Sequence, residues 1–275
     1  MHPIAFQLGP LPVHWYGVMV ALAFLVGLWT ASRRALREGI APERIIDLGP
    51  WLIVGAIVGA RILYVITFWR EEFAGKPLVE MFMVWRGGLV YYGGLVGASL
   101  GFILYARLKK LPLWKGADIL APSIALGYVF GRIGCLMNGC CYGRICELPW
   151  AIQFPNQSNP WHQQFSQGLV GPSDRSLPVH PTQIYESLLN LALYGALEWL
   201  YRRKKFDGQI FATYLVCYAV LRSFVEMFRG DYPEYQRHLG GWVTPAHLVS
   251  VAILAAGLVL FRILPRAMPK PENGR

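Results

Sequence analysis

The chain has 275 residues, of which 55% are hydrophobic and only 15% charged. A soluble domain carries about a quarter charged residues, so this composition excludes an ordinary soluble enzyme and points to the membrane. The formal net charge of +10 comes without a basic tail or an aromatic–basic repeat. That sets nucleic acid aside as a partner, and cytoplasmic loops or anionic lipid headgroups account for the sign.

From Met1 to Val13 there is no Lys or Arg, whereas a cleaved signal peptide needs a basic stretch before its apolar one. Apolar runs then follow at residues 15–31, 50–69, 89–108, 117–136, 184–201, 210–228 and 245–264. Runs of about 18 or more apolar residues exceed an ordinary core helix. The expected fold is an all-α membrane protein of about seven transmembrane helices, one polytopic domain over residues 1–275. The 10 Trp and 14 Tyr suit two membrane–water interfaces.

The loops sort by charge. One side carries Arg33, Arg34, Arg37 and Arg44, then Arg107, Lys109, Lys110 and Lys115, then Arg202, Arg203, Lys204 and Lys205, and finally Arg262, Arg266 and Lys270. The other side mixes signs: Arg70, Glu71, Glu72, Lys76 and Glu80, later Arg229, Asp231, Glu234 and Arg237. Positive residues stay in the cytoplasm, which predicts the N-terminus outside and the C-terminus inside. The long polar interruption, residues 139–181, then falls outside. Trp150 and Trp161 make it a small ordered head rather than a floppy loop. Gly55 with Gly59, Gly93 with Gly97 and Gly101, and Gly127 with Gly131 repeat every four residues. This spacing lets helix backbones approach closely.

Charges inside the spans are costly and therefore informative. Arg61 sits just past the middle of the second run and Arg132 near the outer end of the fourth. Arg222 and Glu226 lie four apart on the sixth and share a face. Arg132 has no acid within one turn, so its partner comes from elsewhere: Glu226, Glu186 or a bound anion. Several arginines against few acids suggest a cavity of net positive potential in the outer half. A phospholipid phosphate is the abundant anion there, and the planar guanidinium binds it in a bidentate way. Arg61 reads as structural support or as part of the same cavity.

The run from Gly131 to Gly143, GRIGCLMNGCCYG, resembles the signature of bacterial prolipoprotein diacylglyceryl transferases. His14-Trp15-Tyr16-Gly17, Tyr92-Gly93-Gly94-Leu95-Val96-Gly97, His180-Pro181-Thr182-Gln183-Ile184-Tyr185-Glu186 and Arg222-Ser223-Phe224-Val225-Glu226-Met227-Phe228-Arg229 resemble other blocks of that family, in the same order. The resemblance implies a multi-pass enzyme of the bacterial inner membrane, with its N-terminus and head in the periplasm. It implies transfer of the diacylglyceryl group of phosphatidylglycerol to the lipobox cysteine of a prolipoprotein signal peptide. Glycerol 1-phosphate leaves, and no metal or organic cofactor takes part. The residues expected to act in the chemistry are Arg132, Arg222 and Tyr92. Those expected to bind substrate are Arg132, Tyr16, Asn138, Gly139, Gly143, His180, Glu186, Glu226, Arg229 and Arg61.

The chain departs from the family pattern at three positions. Tyr92 stands where many members carry His, and a phenol is a poor base at neutral pH. Cys135 replaces Asn and Cys140 replaces Glu, which marks a cysteine-rich subtype. Cys135, Cys140, Cys141 and Cys146 cluster at the outer face, where disulfides are permitted, and four cysteines allow three pairings. Zinc is the less favoured reading, because no paired C-x-x-C is present and adjacent Cys140-Cys141 is awkward for one tetrahedral centre. A membrane thiol–disulfide oxidoreductase and a transporter are the competing functions, and neither a C-x-x-C pair nor repeat symmetry favours them.

Overall fold

A computed structural model describes residues 3–9, 11–231 and 244–267. Of the features read from the sequence, Glu234, Arg237 and Lys270 lie outside them. Each of the seven apolar runs is a helix: α1 (Trp15–Arg37), α2 (Pro42–Thr67), α3 (Tyr91–Leu108), α4 (Leu113–Asn138), α6 (Thr182–Tyr201), α7 (Gln209–Glu226) and α8 (Pro245–Ala267). Four of these, α1, α2, α4 and α8, are long and apolar enough by length and composition to cross a membrane. Their outer faces carry bare apolar side chains, such as Leu25, Val54, Ile66 and Val251, each more than half exposed. Water would penalise such surface, and lipid does not.

The all-helical expectation needs one amendment. Before α1, a short antiparallel hairpin pairs β1 (Ile4–Leu8) with β2 (Leu11–His14). Each strand holds five residues or fewer, too short for a pattern of alternation to stand out. Residues 139–181 also hold a helix the sequence did not announce, α5 (Asn159–Ser166), with Pro160 in its first turn.

The chain divides into two compact units, residues 1–29 with 117–275, and residues 30–116. In the second, α2 and α3 pack through their glycines. A Cβ on Gly55 would lie 2.5 Å from the Gly97 carbonyl oxygen, and one on Gly101 would lie 2.7 Å from that of Trp51. Gly59 and Gly93 meet in the same way. No larger residue fits while those backbones touch. Gly127 and Gly131 differ: their nearest neighbours are at ordinary distance or absent within 4 Å.

In the first unit α1 meets α4, where the Ser123 hydroxyl donates to the Gly27 carbonyl at 2.7 Å. Helix α7 starts on the Asp118 carboxylate of α4, which accepts the Gly208 and Phe211 amides at 2.8 and 2.9 Å. An acid at a helix N-terminus satisfies orphan amides and complements the helix dipole. Helices α6 and α7, and α7 and α8, pack side by side.

Candidate active site

Glu186 is the hub of the first unit's polar network. It lies on the second turn of α6, three residues after Gln183, so the two share a face. Gln183 donates to the Cys140 carbonyl at 2.7 Å, and Thr182 donates to the Cys141 carbonyl at 2.6 Å. The start of α6 is thereby tied to the turn that ends α4. One turn further in, the Glu186 carboxylate takes Arg132 Nε on Oε2 and Arg222 Nη1 on Oε1, the latter at 3.2 Å. Arg222 also meets Glu226 at 2.5 Å, across one turn of α7. The other Glu226 oxygen accepts the Thr244 hydroxyl at 2.6 Å.

Arg132 is completed by Tyr128, one turn earlier on α4. Its Nη2 donates to the phenol oxygen, and the guanidinium carbon lies 4.8 Å from the ring centre. Tyr128 in turn stands edge-on to Tyr218 of α7. Tyr128, Tyr218, Glu186 and Arg222 line a narrow crevice with Asn190. The Asn190 side-chain carbonyl is buried there and accepts no hydrogen bond among the described residues.

Charge in the site is balanced. Arg229 forks onto Asp231 at 2.8 and 2.7 Å. Among the described residues, Arg132, Arg222 and Arg229 therefore face Glu186, Glu226 and Asp231, three of each sign. This corrects the expected net positive cavity. Glu186 alone is distant in sequence from the arginines it meets, so counting charges along single spans misses it. Of the partners foreseen for Arg132, Glu186 is the one the fold supplies.

Above the network three backbone segments cross. The Gly143 amide donates to the His180 carbonyl at 2.9 Å, Arg144 to Phe228 at 2.8 Å, and Gly230 to Tyr142 at 3.1 Å. A Cβ on Gly143 would fall 2.7 Å from the His180 oxygen and 2.8 Å from that of Phe228. Gly143 is thus required by packing. His180 Nδ1 lies 3.2 Å from the Tyr185 hydroxyl, which also accepts the Trp150 indole N–H at 2.7 Å. Burial holds the His180 imidazole below its usual range, favouring the neutral ring. Tyr142 donates to Gln163 of α5, and packs with Phe154 and Val179 into the apolar centre of segment 139–181. Burial, reinforced by Asp231, pushes the Tyr142 phenol up to about 12.

The thiols of Cys135, Cys140 and Cys141 converge, with all three sulfurs within 4.8 Å of one another. Gly139 (φ 72°) and Cys141 (φ 64°) are both left-handed, which curls the chain back over the last turn of α4. Cys141 is not glycine, so this geometry costs energy that the surrounding hydrogen bonds offset. All five cysteines are free thiols. The neighbouring Cys135 and Cys140 thiols hold the Cys141 thiol below its ordinary range, and the Arg229 and Arg132 guanidiniums add to this.

Arg132, Glu186, Arg222, Glu226 and Arg229 thus come together, joined at their rim by Gly139, Gly143 and His180. Asn138 ends α4 exposed, and Tyr16 is nearly half exposed on α1, against Gly134. In the second unit, Arg61 donates to the carbonyls of Glu80, Met81, Gly87 and Gly88 at 2.7–3.1 Å. Its guanidinium organises residues 80–88, the structural role among its two readings. Tyr92 opens α3, 44% exposed, with its ring edge-on to Tyr91. Sequence reasoning missed Tyr128, Thr244 and Asn190. Tyr128 carried a signal, being one turn before Arg132 on the same face, whereas Thr244 carried none.

Residues 3–263 match the family model described as prolipoprotein diacylglyceryl transferase. A phosphatidylglycerol–prolipoprotein diacylglyceryl transferase of Synechococcus elongatus is 34% identical, over 97% of this chain and 90% of its own length. The enzyme of the same name from Allorhizobium ampelinum is 34% identical over 93% of this chain and 87% of its own. That from Nitratidesulfovibrio vulgaris is 33% identical over 94% and 92%. The chain belongs to the prolipoprotein diacylglyceryl transferase family.

Proposed function

We propose that this protein transfers the diacylglyceryl group of phosphatidylglycerol to the lipobox cysteine of a prolipoprotein signal peptide, releasing glycerol 1-phosphate. The observation that carries the reading is the sharing of one carboxylate by two buried guanidiniums in a chain of this family. An anion bridging Arg132 and Arg222 is what Glu186 provides in the resting site. A phosphodiester has oxygens placed to do the same, exchanging with or joining that carboxylate. As the carbon–oxygen bond breaks, negative charge grows on the phosphate, and fixed guanidiniums in a dry crevice stabilise it most. Arg229 and His180 then border the headgroup, with Asn138 and Tyr16 beside the entering lipid or peptide. Tyr92 hydrogen-bonds phosphate or glycerol rather than removing the thiol proton. Arg61 acts indirectly, by holding residues 80–88.

The topology that suits this chemistry has seven spans in the bacterial inner membrane. The N-terminus and residues 139–181 lie in the periplasm and the C-terminus in the cytoplasm. The loop charges support this orientation. The partners are two membrane-bound substrates. Expression in a bacterium depleted of its own transferase tests the function. Wild-type chain should restore lipoprotein maturation, and Arg132→Ala, inserted at equal level, should not. Failure of the wild type to restore it would reject the assignment.

A further inference from the structure

We propose that Cys135, Cys140 and Cys141 form a three-thiolate site for a zinc-class divalent cation, with a fourth position open to an incoming thiol. The metal binding stands on the cysteine geometry alone, whereas the role of the fourth position rests on the transferase reading above.

Four ligands at a Zn–S distance of about 2.3 Å place sulfurs about 3.8 Å apart in a tetrahedron. The three sulfurs already lie within 4.8 Å of one another, so side-chain rotation of about 1 Å closes the site. Adjacent cysteines are a poor tetrahedral pair on an ordinary backbone. Here the left-handed residue at Cys141 (φ 64°) turns its side chain back toward Cys135 and Cys140. The turn is also held before any ion arrives. The Cys140 amide donates to the Cys135 carbonyl at 3.1 Å, and Gln183 and Thr182 fix the Cys140 and Cys141 carbonyls. Soft thiolates select soft or borderline cations over magnesium or calcium. Three thiolates around a divalent ion carry one net negative charge, and Arg132 and Arg229 lie near enough to Cys141 to offset it.

Three protein ligands plus one exchangeable position is the pattern of a reactive zinc rather than a structural one. The reaction needs a thiolate, and Tyr92 is a poor base. A peptide thiol binding at the fourth position releases its proton to solvent and remains a metal-bound thiolate. Its sulfur then attacks the glyceryl carbon. The new carbon–sulfur bond forms as the carbon–oxygen bond breaks, and glycerol phosphate leaves with the electron pair beside Arg132.

The test uses the full chain, purified in detergent under reducing conditions and titrated with Co²⁺. One equivalent should give a thiolate-to-cobalt charge-transfer band with tetrahedral ligand-field bands, and Zn²⁺ should displace it. Cys135→Ser, Cys140→Ser and Cys141→Ser should each weaken binding by at least about 10–100-fold, the loss caused by removing mere supporting contacts to a metal. Cys146→Ser and Cys217→Ala should bind as wild type. If the serine variants do not fold, protection of the three thiols from maleimide by Zn²⁺ in the wild type replaces them. No thiolate band in the wild type overturns the site, as does a Cys135–Cys140 or Cys135–Cys141 disulfide in protein alkylated within intact cells. A lipobox peptide should perturb the cobalt spectrum, and its Cys→Ser analogue should not. An unperturbed spectrum overturns the thiol-carrying role. Cobalt binding without any lipid transfer would instead reject the transferase reading and leave the site standing.

Discussion

At the residue scale, the network around Glu186 sets the clearest consequences. Removing one partner of a buried ion pair strands the other charge, which costs about 3–5 kcal/mol. Arg222→Ala should therefore destabilise the protein and also remove a group that stabilises the leaving phosphate. Loss of one such donor lowers turnover about 10²–10³-fold. Single-turnover lipidation measured on folded variant in vesicles checks this, and wild-type turnover would remove Arg222 from the chemistry. Tyr92→Phe should raise KM for phosphatidylglycerol more than it lowers kcat, because the hydroxyl is assigned to binding. A collapse of kcat at unchanged KM would make Tyr92 the base. His180 carries a pH signature. Its folded pKa is depressed by burial, so the unfolded chain takes up a proton first as pH falls below about 6.5. Stability from the neutral ring is present above that pH and is lost on acidification. Thermal midpoints across pH 5–8, a window of about three units set by the imidazole range, should fall on the acid side and flatten in His180→Asn.

The residue scale also shows where sequence reasoning runs out. That Arg132 needs an outside partner was readable, since no acid lies within a turn. That Glu186 holds both arginines depends on α6 being tied to the α4 turn through Thr182 and Gln183, which no spacing reveals. The convergence of the cysteines was likewise hidden. It hangs on one left-handed backbone angle at Cys141, and adjacency argued against it. Arg61 was open between two readings, and its four carbonyl acceptors from residues 80–88 support the scaffolding one.

At the element scale, the seven helices were legible because each apolar run exceeds what a core helix needs. The hairpin and α5 were not, being too short for periodicity and stabilised by tertiary contacts instead. The glycine pattern was legible only in part. Spacing alone cannot separate Gly55, Gly59, Gly93, Gly97 and Gly101, where backbones touch, from Gly127 and Gly131, where they do not. Gly97→Ala should thus destabilise the α2–α3 pair by about 1–3 kcal/mol, the usual cost of overpacking. Gly131→Ala should be nearly neutral. Thermal unfolding of the two variants in detergent compares them directly, and equal effects would refute backbone contact as the reason for the glycines.

At the scale of the whole molecule, the proposed reaction requires a lipid headgroup, a signal peptide and their product to share a single site. The charge-sorted loops support the proposed orientation. Cysteine labelling should find residues near Lys205 reachable only from the cytoplasm and residues near Arg175 only from outside. The direct measurement is transfer itself. Purified protein is mixed with head-to-tail labelled phosphatidylglycerol in vesicles and a lipobox peptide, and the peptide is weighed. One diacylglyceryl group should appear on its cysteine, with release of glycerol phosphate in equal amount, dependent on Arg132. An unmodified peptide, or label arriving equally well from phosphatidylethanolamine with Arg132 replaced by alanine, would contradict it.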